Sequence, residues 1–187
     1  MSDRQKIILK SALITLAAIA LAALIVFSMW ILCAPQTMAT SCEKTGNYSF
    51  AIKCANLRYS YTKSAYDLSR CVDDSILDGN DKLVVKYGEK LIAHDKFSEV
   101  CKRKSAELSE NLEVKFDYRS HVCGNVAYSQ FKRGDLSAAV KAAQKSGAEA
   151  GFIKLTVAVS ESGTDAQKKA LYDLICDTYG DLAALLK

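Results

Sequence analysis

The stretch GNVAYSQFKRGDLSAAVKAAQKS, residues 124–146, decides the fold class of this 187-residue chain. Apolar and small residues recur in it at helical spacing on both sides of the sequence RGD at 133–135. The glycine of that sequence supplies the backbone freedom that ends a helix. The stretch therefore predicts two helices, 118–132 and 136–145, joined by a tight turn.

The same periodicity extends along most of the chain. One Pro and nine Gly in the whole sequence disfavour an all-β domain with many turns. Breaks in the pattern fall at turn-forming residues, such as DGND at 78–81 and Ser146-Gly147. We therefore expect an all-α fold, with a connection at 109–117 and further helices at 48–62, 65–77, 82–93, 96–108, 152–159 and 166–186.

Two segments of the chain, 83–105 and 121–146, match each other. In both, a small residue lies inside the first helix, and a tight turn leads to an apolar residue that begins the second. A weaker third copy precedes them at about 55–68. One constant offset aligns Gly88 with Ala127, Phe97 with Leu136 and Val100 with Ala139.

This pattern resembles the tetratricopeptide repeat (TPR), whose two helices cross closely at small residues. Ala127 matches the small position of the first helix, Gly134 the turn and Ala139 the small position of the second helix. The chain departs from the family at Gln130, where the repeat has a tyrosine, and at Asp95, where the turn glycine is missing. The resemblance implies a TPR-like α-solenoid of three or four helical hairpins with one continuous core. A plain helical bundle is the alternative.

An uncharged stretch, SALITLAAIALAALIVFSMWILC at 11–33, precedes this region. A helix of that length covers a hydrocarbon core of about 30 Å, and Trp30 suits the membrane–water interface. A core helix would show a polar face, and this stretch has none. We therefore predict a transmembrane helix. A cleaved secretory signal, cut near Thr37-Met38-Ala39, stays an alternative, although signal sequences have shorter apolar regions.

Basic residues predict the orientation of this helix. Arg4, Lys6 and Lys10 precede it, whereas the first basic residue after it is Lys44. Because positive residues stay on the cytoplasmic side, we expect a single-pass cell-membrane protein with its N-terminus in the cytoplasm. The predicted organisation is a cytoplasmic tail at 1–10, the transmembrane helix at 11–33, an irregular linker at 34–46 and an extracytoplasmic helical-repeat domain at 47–187.

The chain has seven cysteines, of which all but Cys33 lie beyond the predicted transmembrane helix. An even number in an exported domain permits disulfides. Most of these cysteines fall within predicted helices, where small buried thiols are equally expected. The sequence leaves the state of the thiols open.

Several kinds of chemistry are disfavoured by composition and motifs. With 25 Lys+Arg against 21 Asp+Glu, the chain lacks the basic excess of a nucleic-acid binder. Its only histidines, His94 and His121, lie in no catalytic or metal-binding pattern. Adjacent helical residues point about 100° apart, so we interpret Asp73-Asp74 as a solvated helix end. No motif indicates a cofactor or a metal, and we expect a non-enzymatic protein.

In the tetratricopeptide family, the first helices of the repeats line a groove that binds peptides or protein segments. Aromatic side chains flanked by lysines suit such a surface, although Tyr128 and Phe131 would equally suit a core. Carried over position by position, the resemblance implies groove residues Lys53, Leu57 and Tyr61, then Lys82, Val85, Glu89 and Ile92, then His121, Tyr128, Phe131 and Lys132.

The leading hypothesis is a membrane-anchored scaffold that presents TPR-like repeats to a protein or peptide partner outside the cytoplasm, assisting the assembly of secreted or membrane proteins. The alternative is a structural subunit of a membrane or envelope complex that assembles through its transmembrane helix. Small residues permit close packing of such helices, and this one contains Ala17, Ala18, Ala20, Ala22 and Ala23.

Overall fold

A computed structural model of the chain describes residues 3–186, with side chains from Leu9 onward except Leu32. The side chains of Arg4 and Lys6 and the last residue, Lys187, lie outside this description. All regular structure in the described part is helical, which confirms the all-α class. Its α-helices are α1 (Asp3–Cys33), α2 (Pro35–Lys44), α3 (Tyr48–Thr62), α4 (Ala65–Leu77), α5 (Asp81–Ile92), α6 (Phe97–Leu112), α7 (Tyr118–Lys132), α8 (Leu136–Gln144), α9 (Ile153–Ser162), α10 (Asp165–Ile175) and α11 (Gly180–Ala183).

Helix α1 contains the predicted apolar stretch. Its segment Leu9–Ile31 is long and apolar enough to cross a membrane. Residues 9–30 are exposed, and only Ile31, at the end of the segment, is half-buried. The helix begins before the predicted start at residue 11 because Arg, Gln and Lys near the N-terminus are good helix formers.

The segment 34–46 differs from the irregular linker that the sequence predicted, because most of it forms α2. Pro35 occupies the first turn of this helix, where a missing N–H leaves no hydrogen bond unmade. Just before it, the Ala34 N–H donates to the Trp30 carbonyl oxygen at 2.9 Å. Helical hydrogen bonding therefore continues from the end of α1 almost to the start of α2.

Helix α2 also packs against the domain that follows it. A small second core joins α2 to α3, and Ile31 at the end of α1 packs against that core. The apolar face of α2 is short and made mainly of small residues, so its period was not evident in the sequence. The second core consists of Met38, Ala39, Cys42, Ala51 and Cys54.

Helices α3, α4 and α7 have the predicted bounds because strong local signals mark their ends. The side chains of Asn47, Ser64 and Asp117 each accept a hydrogen bond from a backbone N–H in the first turn of the helix that follows. Helix α3 ends at Thr62, and the next residue, Lys63, adopts a left-handed conformation with φ of 51°.

Other boundaries differ from the prediction, including the end of α9, which continues to Ser162 instead of ending at residue 159. Helix α6 continues to Leu112 and ends at Glu113, with φ of 54°, so the connection to α7 is shorter than expected. The single C-terminal helix predicted at 166–186 is broken after Ile175. A turn follows, and the short helix α11 begins at Gly180.

The main core extends from α3 to Leu186, in the short 3-10 helix Ala184–Leu186 that follows α11. Helix α3 packs chiefly against α2 and α4, and α4 against α5. Helix α5 then packs against α7, and α7 against both α8 and α9, whereas α6 contacts chiefly α7 and α4. Ala127 and Ala139, the small positions of the repeat pattern, are both fully buried in this core.

Candidate functional site

Four predicted groove residues lie on one face of α5. Lys82, Val85, Glu89 and Ile92 follow one another at intervals of three and four residues, which places them along one side of a helix. Lys82 and Glu89 are exposed, Val85 is half-buried, and Ile92 packs partly against the main core. This face of α5 therefore presents charged side chains beside a narrow apolar strip.

Three more predicted residues, His121, Tyr128 and Lys132, share a face of α7. Lys132 is exposed, whereas Tyr128 and His121 are half-buried. The His121 ring packs against the rings of Phe116 and Tyr118, with centroid separations of 5.4 and 6.0 Å. Burial lowers the pKa of His121, so this side chain favours its neutral form.

Phe131 lies elsewhere. Its side chain is buried in the main core rather than exposed beside Lys132. One residue along a helix turns the side chain by about 100°, which is enough to move Phe131 from the shared face of α7 into the interior. Phe131 is therefore a core residue, which was the alternative to a groove residue, and its side chain is not part of an exposed surface.

Polar side chains connect α5 to α7. Gln130 Nε2 donates to Glu89 Oε1 at 2.7 Å, and Ser129 Oγ donates to Asp81 Oδ1 at 2.9 Å. The Lys132 ammonium lies 2.8 Å from the same Asp81 carboxylate. Hydrogen bonding to Asp81 and its charge raise the pKa of Lys132. These contacts join α5 to α7 and include two of the predicted groove residues, Glu89 and Lys132.

Contacts also join α7 to α9. Lys154 Nζ donates to Asn125 Oδ1 at 2.7 Å, which joins α9 to α7. Beside this contact lies a cleft of about 360 Å³, the α7–α9 cleft. Its walls are mainly apolar and are bordered by one positive and one negative side chain. It is lined by Tyr128, Ile153, Lys154, Val157, Ala158 and Glu161.

Sequence analysis identified only Tyr128 among the residues of this cleft. The exposed fractions of Ile153 and Val157, 47% and 38%, are high for branched aliphatic residues. Their spacing of four residues was a usable signal, because it places two exposed apolar side chains on one side of α9. This spacing alone did not indicate a cleft, because the packing of α9 against α7 is not evident from the sequence.

The remaining predicted residues, Lys53, Leu57 and Tyr61, lie on α3. That helix packs chiefly against α2 and α4, so the structure does not bring these residues into the surface formed by α5, α7 and α9. Lys53 and Tyr61 are exposed, and Leu57 is half-buried.

The acidic pair Asp73-Asp74 is not the solvated helix end that we expected. Asp73 Oδ1 accepts a hydrogen bond from the buried Tyr118 hydroxyl at 2.7 Å, and Asp73 Oδ2 lies 2.9 Å from Lys104 Nζ. Asp73 thereby connects α4 to α6 and α7. The two carboxylates point in different directions, as expected for adjacent helical residues. Neither is solvated as predicted, because each lies against side chains of other helices.

Asp74 faces α2 instead. It is buried, and its Oδ2 atom has no hydrogen-bond partner. Burial and the nearby Glu43 carboxylate raise the pKa of Asp74 to about 7, against an opposing effect of Arg70. Arg70 itself binds Glu43 at 2.5 Å and the Thr40 hydroxyl at 2.6 Å. This charged cluster fastens α2, the continuation of α1, to α4.

No group of three or more His, Cys, Asp or Glu side chains in the described residues has an arrangement suited to a metal ion. No protein-family model, curated protein or solved structure matches the chain. The fold defines its class as an all-helical protein with one N-terminal helix long and apolar enough to span a membrane.

Proposed function

We propose that this protein is a membrane-anchored, non-enzymatic scaffold that binds a segment of a partner protein outside the cytoplasm. The observation that carries the proposal is the α7–α9 cleft, where Tyr128, Ile153 and Val157 expose apolar surface between charged side chains. Exposed apolar patches with polar borders are typical of protein-interaction sites. The cleft volume suits one or two apolar side chains of the bound segment.

The helix order supports a TPR-like arrangement for this surface. In such a domain the first helices of successive repeats pack side by side, and α5, α7 and α9 do so. The fully buried Ala127 and Ala139 agree with the small positions of the resemblance. We accordingly propose that the partner lies across the exposed edges of these three helices, with its apolar side chains in the α7–α9 cleft.

The junction between α1 and α2 supports a retained anchor. Cleavage near residues 37–39 would separate α1 from a helix whose Met38 and Ala39 are buried against α3. It would also cut α2 itself beside the contact of Arg70 with Thr40. Because α1 leads directly into α2, which packs against the domain, α1 fits a permanent membrane anchor better than a cleaved signal sequence.

Co-purification with matched variants tests the binding surface. The full-length chain is isolated from membranes in mild detergent, and the proteins recovered with it are quantified. We expect Val157→Asp to reduce recovery of the specific partner at least tenfold, because a carboxylate would be desolvated in the apolar cleft. Leu77→Asp on α4 is the matched control, since Leu77 is exposed and lies outside the cleft. Equal recovery with both variants would refute the proposed site.

Bulky replacements in α1 test the alternative. If the protein is a structural subunit that assembles through its transmembrane helix, Ala18→Leu together with Ala22→Leu should disrupt association, because close helix packing needs small residues. Our proposal instead expects these changes to leave partner recovery intact while Val157→Asp abolishes it.

A further inference from the structure

The hairpin of α6 and α7 contains a pair of buried thiols. Cys101 lies in α6 and Cys123 in α7, with exposed fractions of 5% and 0%. Both belong to the main core, and both are free thiols in the structure. Since α6 has few other packing partners, what holds it against α7 matters for the integrity of the domain.

Hydrogen bonds near the turn establish the register of these two helices. The Tyr118 N–H donates to Ser105 Oγ at 2.9 Å, and nearer the turn the Phe116 N–H donates to Ser109 Oγ at 2.8 Å. Cys101 lies about one helical turn before Ser105, and Cys123 lies slightly more than one turn after the start of α7. Because the helices are joined by a short connection and run in opposite directions, the two cysteines come to the same level of the hairpin.

Electrostatics agree with this proximity. Burial raises the pKa of Cys101 to about 11 and that of Cys123 to about 12. After burial, the next largest cause of the increase at Cys123 is repulsion by the negatively charged form of Cys101. Cys101 therefore lies near enough to Cys123 for its negative charge to raise that pKa.

We infer that Cys101 and Cys123 form a disulfide that ties α6 to α7 when the chain folds in an oxidising environment. The inference rests on the proposed function in one respect, which is that an extracytoplasmic domain meets such an environment. The two thiols lose two protons and two electrons. A low-molecular-weight disulfide such as oxidised glutathione takes them up and is reduced to two thiols.

Burial determines when the bond forms. Thiol–disulfide exchange proceeds through the thiolate, and the folded protein both hides these thiols and disfavours their ionisation. The disulfide therefore forms during folding, before α6 has docked, and is protected from reductants afterwards. Folded, reduced protein should react slowly with the same oxidant.

The test uses the full-length chain, purified in detergent, unfolded under reducing conditions and refolded with oxidised and reduced glutathione. Peptide mapping by mass spectrometry should recover Cys101 linked to Cys123. The oxidised protein should unfold about 5–15 °C above the reduced protein. Cys101→Ala should remove this redox-dependent difference, whereas Cys71→Ala should keep it, since Cys71 is equally buried but lies on α4.

The two measurements test the Cys101–Cys123 pairing and the extracytoplasmic location separately. Recovery of both residues as free thiols after refolding, or linkage of either to another cysteine, would overturn the inference, whatever the topology of the protein. If the disulfide forms on refolding but the chain isolated directly from cells, with thiols trapped at lysis, is reduced, the proposed extracytoplasmic location fails and the pairing stands.

Discussion

Gly88 of α5 lies directly against Val126 of α7, so closely that a β-carbon on Gly88 would be 2.2 Å from Val126 Cγ2. Valine has one strongly preferred side-chain conformation in a helix, so it does not turn away at low cost. Gly88 is the residue that the repeat alignment pairs with Ala127. Its absent side chain is what allows α5 and α7 to approach, and that approach forms one half of the proposed partner-binding surface.

A double-mutant cycle tests this contact. Gly88→Ala should destabilise the protein by about 1–3 kcal/mol through overpacking, even though alanine is favoured over glycine in a helix by about 1 kcal/mol. With Val126→Ala already present, the same change should be neutral or stabilising, because the obstructing methyl group is gone. Chemical unfolding of the detergent-solubilised chain measures both steps. A Gly88→Ala effect of the same size in both backgrounds would show that the two residues are not in contact.

The buried carboxyl of Asp74 predicts a pH-dependent stability. Its folded pKa of about 7 is raised above the usual value of 3.8, so the folded state holds the proton more tightly than the unfolded state does. The resulting stabilisation is fully present below about pH 4 and is lost as the pH rises through 7. Asp74→Asn should therefore gain stability relative to the parent between pH 4 and pH 8, by on the order of 3 kcal/mol.

The matched control for this experiment is Asp78→Asn, at the exposed end of the same helix. The stability of this variant should follow the parent across the pH range. If the free energies of unfolding of Asp74→Asn and the parent change in parallel from pH 4 to pH 8, the pKa of Asp74 is not raised in the folded state.

Thiol labelling tests the proposed topology. Cys33 and Cys176 are the cysteines that are not buried, so a parent with both changed to serine should resist a membrane-impermeant maleimide in intact cells. Adding Ser137→Cys, at an exposed position of α8, should give strong labelling. Adding Ser2→Cys should give labelling only after the membrane is permeabilised, because basic residues beside a membrane-spanning helix favour the cytoplasmic side. If only the Ser2→Cys variant is labelled in intact cells, the orientation is the opposite of the one proposed.

The sequence predicted best what is determined locally. Helices α3, α4 and α7 have the expected bounds because their capping residues and periodicity act within a few positions of each end. Helix α2 was missed for a local reason as well, since its apolar face is short and made mainly of small residues, although Pro35 is well suited to the first turn of a helix.

The candidate functional site could not be predicted in the same way, because it is formed by contacts between distant parts of the chain. The sequence predicted a solvated Asp73, but the fold brings Tyr118 and Lys104 into contact with it. Likewise, the exposed Ile153 and Val157 become a cleft only when α9 packs against the helix that carries Tyr128. Periodicity indicates which face of a helix is apolar, but it does not indicate which apolar side chains the neighbouring helices leave uncovered.

Site-specific photo-cross-linking in intact cells tests the central claim most directly. A photoreactive amino acid replaces Val157 in the α7–α9 cleft of the full-length chain, or replaces Leu77 on α4 as the exposed control. We expect a discrete cross-linked product from position 157 that disappears when Tyr128→Ala is added, and none from position 77. No product from position 157, or the same products from both positions, would contradict the assignment of this cleft as the partner-binding site.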